Sequence, residues 1–268
     1  MLKDITLGQF FPGNSPVHLL DPRTKLILLI GYIVALFTAA NWISYLVVFA
    51  FLAAAIAISK IPLKSILHGM KPLVMILVFT GILNIFFTTG EKLLVKFWVI
   101  SIYWEGIVHA LFMMARIIML IAGTFLLTYT TSPIALTDGL ESLLGPLKKL
   151  RIPVHELSMM MCIALRFIPT LIEETDKIMA AQKARGADFE SGKLMQRVKA
   201  LVPILVPLFI SAFRRADELA TAMECRCYQG GDGRTKMKLL RYKLRDIKAF
   251  LSGIAMVAGV IVLAVFGL

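Results

Sequence analysis

Charge is scarce in this chain: 17% of its 268 residues are Asp, Glu, Lys or Arg, against roughly 25% in an ordinary soluble domain. Metal-binding residue types are scarcer still, with four histidines and three cysteines. Cys225 and Cys227 form a Cys-x-Cys, but no second pair or suitably spaced histidine completes a zinc site. With Cys162 they fall in a segment assigned below to the cytoplasm, where thiols stay reduced, and they read as small packing residues. A phosphate loop is also missing. Gly186–Leu194 has a superficial likeness to one, yet it has five intervening residues instead of four, Leu194 in place of Ser or Thr, and a helix rather than a strand before it. The leading segment has no apolar core for a cleavable signal peptide, because Pro12, Gly13, Asn14, Pro16, Asp21 and Pro22 occupy the place of one. The first crossing helix is therefore expected to insert the protein and remain in it.

What the chain has is apolar length. Hydrophobic residues make up 58% of it, at a mean hydropathy of +0.80. No charge occurs between Lys25 and Lys60, from Pro72 to Gly90, or from Ala249 to Leu268. A helix needs roughly 17–25 such residues to cross hydrocarbon. The first stretch is too long for one crossing and breaks at Asn41-Trp42, giving helices at about 25–40 and 43–58. Further crossings are expected near 72–89, 106–130 (containing Arg116) and 249–268. Between the third and fourth, residues 91–104 are rich in β-branched and aromatic types and suit either a short hairpin or an interfacial aromatic anchor.

The net charge of +12 raises the question of nucleic acid, but its distribution argues for topology. Of the 29 Lys and Arg, 20 lie in 131–248 and three each in the N-terminal segment and the 59–71 loop, against two (Lys92, Lys96) in the opposite loop. Cytoplasmic loops carry such an excess, and short loops such as the one with Lys60, Lys64 and Lys71 weigh most. No nucleic-acid partner is expected. The expected topology has five crossings, the N-terminus in the cytoplasm and the C-terminus outside.

Three parts follow: 1–130 with four membrane helices, 131–248 as a cytoplasmic and membrane-interface domain of one short and two long crossing helices, and 249–268 as the last membrane helix. The fold class is thus an all-α integral membrane protein. Ser132-Pro133 starts the short helix, with Ser132 as N-cap and Pro133 at the first helical position. Leu136, Leu140, Leu143, Leu144 and Leu147 repeat at helical spacing, so this helix is expected along the cytoplasmic membrane surface. The long helices are expected from Val154 to about Arg185 and from Leu194 to about Arg226, joined through Ala187–Gly192. In each the first half is apolar and the second charged. The apolar halves are too short to span, so they must be buried against other helices or lie at the inner boundary of the bilayer. Displaced by 41 positions, Asp176 matches Asp217, Ala181 matches Ala222 and Arg185 matches Arg226. The same offset sets Glu173-Glu174 against Arg214-Arg215, which predicts pairing where the helices cross. Gly230–Gly233 reads as a flexible turn.

Each long helix ends in an arginine between small residues: Ala184-Arg185-Gly186 and Cys225-Arg226-Cys227. A cation at a helix C-terminus stabilises it by roughly 0.3–1 kcal/mol, which explains one such residue. Two, each with small flanks that admit a partner's surface, describe plugs for acidic grooves, since guanidinium binds a carboxylate bidentately.

Leu20-Asp21-Pro22-Arg23-Thr24-Lys25, Arg166-Phe167-Ile168-Pro169, Ala181-Gln182-Lys183-Ala184-Arg185-Gly186 and Phe213-Arg214-Arg215-Ala216-Asp217-Glu218 with Glu224-x-Arg226 resemble the transmembrane T component of energy-coupling factor (ECF) transporters, over essentially the whole chain. The resemblance implies a non-catalytic scaffold in the bacterial cell membrane. It would couple ATP hydrolysis by two cytoplasmic ATPase subunits, A and A′, to vitamin or micronutrient uptake by a membrane S component. It implies Ala184, Arg185, Gly186, Cys225, Arg226 and Cys227 as the docking tips, although the family often has Ala and Gly where this chain has Cys225 and Cys227. Arg166, Pro169, Asp176, Pro207, Asp217 and Glu224 would support the coupling helices, with Asp21, Pro22 and Arg23 as an N-terminal motif. Pro169, Pro203 and Pro207 would bend those helices, and Met159–Met161 would offer an adaptable surface to S components or simply pack in a core. No catalytic or metal residue and no cofactor is implied for this chain, since ATP and Mg would sit on the ATPases.

Two other classes stay open on the residues alone. A membrane-embedded Mg-dependent transferase would use Glu173, Glu174 and Asp176, or Asp217 with Glu218, although Lys177, Arg214 and Arg215 neutralise both clusters. An autonomous carrier would want ionisable groups inside the spans; Arg116 and His109 qualify, and Arg116 is expected to secure helix packing.

Overall fold

Asp21 opens the first helix as a good N-cap should. Its carboxylate accepts the Arg23 N–H at 2.9 Å, and Pro22 fills the first helical position, where a missing N–H costs nothing. In the computed structural model, which describes residues 10–39, 41–89, 93–97, 100–187, 194–231 and 239–266, this helix is α1, Pro22–Thr38. α2, Trp42–Ser59, follows and ends on Lys60 in the left-handed conformation. The basic 59–71 loop contains a helix of its own, α3 (Leu63–Met70). A 3-10 turn through Pro72 joins it to α4 (Val74–Phe87), so 63–87 forms one apolar helical run.

Between α4 and α5 the backbone settles the alternative left open for 91–104. β1 (Leu93–Phe97) and β2 (Ile100–Tyr103) pair antiparallel, with Leu93 opposite Tyr103 and Phe97 opposite Ile100. The remaining helices are α5 (Trp104–Thr130), α6 (Pro133–Leu144), α7 (Val154–Ala184), α8 (Leu194–Glu224) and α9 (Leu244–Val265). Apart from the hairpin the architecture is helical, and the protein is an all-α integral membrane protein.

Among the described residues, five helical stretches of 18 or more residues are apolar enough to cross a bilayer: α2, Leu63–Phe87, α5, α7 and α9. This set differs from the expected one in a single member, because α7 qualifies and α1, with 17 residues, falls short. α7 qualifies by length. Its best window has a mean hydropathy of 1.3, against 2.0–2.2 in the other four. α1 rises about 25 Å at 1.5 Å per residue and belongs to the core of the bundle, with Ala35 and Leu36 wholly inside.

The chain divides into two compact units, Gly8–Leu140 with Leu240–Leu268 and one containing Glu141–Leu239. The first is a helical bundle whose core joins α1, α2, α5 and α9 through Tyr32, Leu36, Val48, Met119, Leu126 and Val260. Tyr32 donates its hydroxyl to the Met119 carbonyl at 2.9 Å. Arg116 secures packing as expected, donating to the Ala39 carbonyl at 3.1 Å and lying over the Phe37 and Tyr45 rings. A guanidinium at the C-terminal end of α1 is well placed for the helix dipole.

α6 starts as its sequence predicts, with the Ala135 N–H on the Ser132 hydroxyl at 3.3 Å. Its buried residues, however, are Thr137 and Gly139, while Leu140 is exposed and Leu136, Leu143 and Leu144 are half-buried. The reason is close approach: a Cβ on Gly139 would fall 2.9 Å from Pro22, so only a residue without one lets α6 lie against the start of α1.

Candidate functional site: the paired helix tips

In the second unit α7 and α8 lie against each other. Arg215 donates to the Glu174 carboxylate at 2.8 Å, and Ser211, one turn earlier on α8, faces the same group. This is the pairing predicted at an offset of 41 residues; Glu173 and Arg214 take no part in it. Farther along α7, Gln182 donates to the Pro203 carbonyl at 3.4 Å. The physical reason lies in α8 itself: Pro207 has no N–H, so the carbonyl four residues earlier has no helical partner, and α7 supplies one. Rising numbers on α7 thus meet falling numbers on α8, so the two helices run in opposite senses. Each continues through its prolines, Pro169 in α7 and Pro203 and Pro207 in α8.

Because the pair at 174 and 215 has the same offset as the two arginines, Arg185 and Arg226 each stand eleven residues beyond it. At 1.5 Å per residue each is about 16 Å along its own helix, on opposite sides of the crossing. The structure keeps them apart.

Both tips end in the same way. At the first, the Gly186 N–H bonds the Lys183 carbonyl and the Ala187 N–H bonds the Gln182 carbonyl, both at 3.0 Å. At the second, Cys227 bonds Glu224 at 2.8 Å and Tyr228 bonds Met223 at 3.0 Å. These are two Schellman caps with an arginine at C-cap in each. The residue after each arginine is left-handed: Gly186 at φ 88° and Cys227 at φ 55°. The small residue there serves backbone handedness as much as access, which the sequence reading missed. A glycine one position after the last charged residue of a long helix was the available signal.

Ala184, Arg185, Gly186, Cys225, Arg226 and Cys227 are all exposed. Among the described residues, neither Arg185 nor Arg226 has an ion pair or a side-chain hydrogen bond. Cys225 and Cys227, being exposed, are not the packing residues expected; Cys162 is half-buried. Arg166, Pro169, Pro207, Asp217 and Glu224 are exposed and Asp176 half-buried, and none of the charged ones is ion-paired among the described residues. Residues 188–193 of the connecting loop, which hold most of the phosphate-loop-like stretch, lie outside the described residues, as do 232–238. Gly231 is no free turn: it lies against the His155 ring with no room for a Cβ. His155 in turn meets Glu141 at 3.1 Å, where Ser158 also donates.

The apolar halves of these helices are largely uncovered. Leu201, Val202, Leu205, Val206, Phe209, Ile210 and Phe213 form one face of α8 at 46–64% exposure, and among the described residues of that helix only Ile204 is buried. Leu157, Met160 and Met161 of α7 are similarly exposed. Of the two expectations for these halves, burial against other helices or a place at the inner boundary of the bilayer, the first is met in part, at Val154 and Ser158 of α7 and Ile204 of α8. A continuous apolar face of this kind marks lipid or a partner.

The N-terminal motif meets the other end of the chain. Asp21 donates its N–H to one oxygen of Asp246 at 2.8 Å, and the other oxygen accepts the Lys243 N–H at the start of α9, also at 2.8 Å. Arg23 folds back onto the Asp21 carboxylate at 3.1 and 3.2 Å, with its guanidinium 4.4 Å from the Tyr242 ring centre. Lys25, buried, gives its three protons to the carbonyls of His18 and Thr130 and the hydroxyl of Thr131. Just before α1, His18 bridges Ser15 and the Phe11 carbonyl, and burial holds its pKa below the usual imidazole value. Asp246, Tyr242 and Thr130 were not singled out from sequence, since nothing local ties them to position 21.

Comparison with known proteins bears on this arrangement. The family model described as cobalt transport protein (CbiQ) matches residues 13–237. A protein of Clostridium kluyveri named energy-coupling factor transporter transmembrane protein EcfT is 55% identical over 258 residues, 96% of either chain. Its namesake in Bacillus subtilis is 48% identical over 258 residues, covering 96% of this chain and 97% of its own. That of Lactococcus lactis is 45% identical over 245 residues, or 91% and 92% of the two chains. With such coverage at such identity, and the paired arginine tips in place, this chain belongs to the family of energy-coupling factor transporter transmembrane proteins.

Proposed function

We propose that this transporter membrane subunit works as a two-point coupler, with Arg185 and Arg226 each seated in an acidic groove of one cytoplasmic ATPase subunit. The observation that carries this is the matched pair of exposed C-cap arginines. Both have the same cap, neither has a partner among the described residues, and they stand on opposite sides of the Glu174–Arg215 contact. Each cap fixes the backbone that carries the guanidinium, so less backbone entropy is lost on docking. The exposed face of α8, with Met160 and Met161 of α7, suits a membrane S component that captures a vitamin or other micronutrient. ATP and Mg act on the ATPases, and this chain does no chemistry of its own. The positive-inside distribution puts the N-terminus and the coupling helices in the cytoplasm and the C-terminus outside. α1 completes the crossings, while α7, with Arg166, Glu173, Glu174 and Asp176 along it, lies outside the hydrocarbon.

The test is the double variant Arg185→Glu, Arg226→Glu in cells expressing the whole transporter. Membrane insertion should be normal, with ATP-driven uptake and recovery of the ATPases on this chain lost. Normal uptake by that variant would remove the assignment.

A further inference from the structure

A cavity of about 570 Å³ lies within the helical bundle, between α1, α2, α5 and α9. Its walls are almost wholly apolar: Leu29 of α1, Leu52 and Ala55 of α2 and Leu126 of α5 contribute, and its size lies in the range of small-molecule sites. One border is different. Arg245 and Lys248, one turn apart on α9, stand beside it, both exposed and neither ion-paired among the described residues. The nearby acids are occupied. Asp246 is buried and holds two backbone N–H groups, and Asp21 holds Arg23. Lys25 also lines the cavity, but its ammonium is engaged by three acceptors and has no N–H left to donate to a ligand.

An apolar cleft in a membrane bundle with two free cations at one edge has the chemistry of an acyl chain joined to an anionic headgroup. We propose that it is a binding site for an anionic phospholipid, the tail between α1, α2 and α5 and the phosphate on Arg245 and Lys248. The residues involved lie at the N-terminal ends of α1 and α9 and the C-terminal ends of α2 and α5. In the topology proposed above this is the cytoplasmic leaflet, where anionic lipids gather and basic clefts between helices hold their headgroups.

The test uses the full chain in detergent, titrated with phosphatidylglycerol or with phosphatidylcholine of the same acyl chains, the bound lipid counted by native mass spectrometry. Phosphatidylglycerol should be retained at least fivefold better. Arg245→Gln with Lys248→Gln should bring the two lipids to parity, and Ala55→Phe, which fills the cleft, should reduce retention of phosphatidylglycerol to that of the parity variant or below. Equal retention of the two lipids by the unaltered chain, or a preference that survives the double substitution, overturns the proposal. None of these lipid measurements involves the ATPases. The Arg245, Lys248 variant should still bind them, so failure here is distinct from failure of the docking tips.

Discussion

The tips of α7 and α8 share a hydrogen-bond pattern and differ in the residue that has to turn left-handed. Gly186 adopts φ 88° at no steric cost, whereas Cys227 adopts φ 55° against its own Cβ. The geometry that aims the arginine is therefore kept at both ends, while the stability of the end that holds it is not. The second tip is the one under strain.

The comparison can be broken most severely at the arginines. Arg185→Glu alone and Arg226→Glu alone should each weaken ATPase binding by about 2–5 kcal/mol, roughly 30-fold or more, measured by titrating the purified subunits onto the chain in nanodiscs. A variant that binds with unaltered affinity would show its tip to be a bystander. Next comes the shared pivot. Glu174→Arg or Arg215→Glu should cost about 1 kcal/mol in the detergent-solubilised chain through lost attraction and new like-charge contact, and the double swap should restore the melting temperature. Failure of the swap to rescue would count against the pairing. The caps give a sharper contrast. Gly186→Ala should cost about 1 kcal/mol and Cys227→Ala close to nothing, because the second site already bears that strain. Amide exchange at Ala187 and Tyr228, whose N–H groups close the two caps, reads this directly. Smallest is Cys227→Gly, a gain below about 1 kcal/mol, reduced by the added freedom of glycine in the unfolded chain. Slower exchange at Tyr228 is the expected sign.

Local rules made a good part of this legible beforehand. Asp21-Pro22 and Ser132-Pro133 open helices because capping depends on residues two or three apart, and Glu174 found Arg215 because the repeat carried the register. Relations set by three-dimensional approach stayed hidden. The leucines of α6 promised its buried face, but Gly139 decided it by letting the helix touch Pro22. Periodicity measures how apolar a face is and says nothing of how near the next backbone must come. Arg185 and Arg226 stand out in the sequence as charges between small residues, whereas the left-handed turns behind them are a property of the folded backbone. The span count shifted for a related reason. α1 is short and central, α7 long and mixed, and a rule of length favours the second.

Asp246 sets a condition on biogenesis. Until residue 246 has left the ribosome, the N–H of Asp21 has water in place of its folded acceptor, so the start of the first helix is capped but not yet tied to α9. The start of the bundle is fastened only once α9 has been translated, and a nascent chain halted before that point should lack this closure.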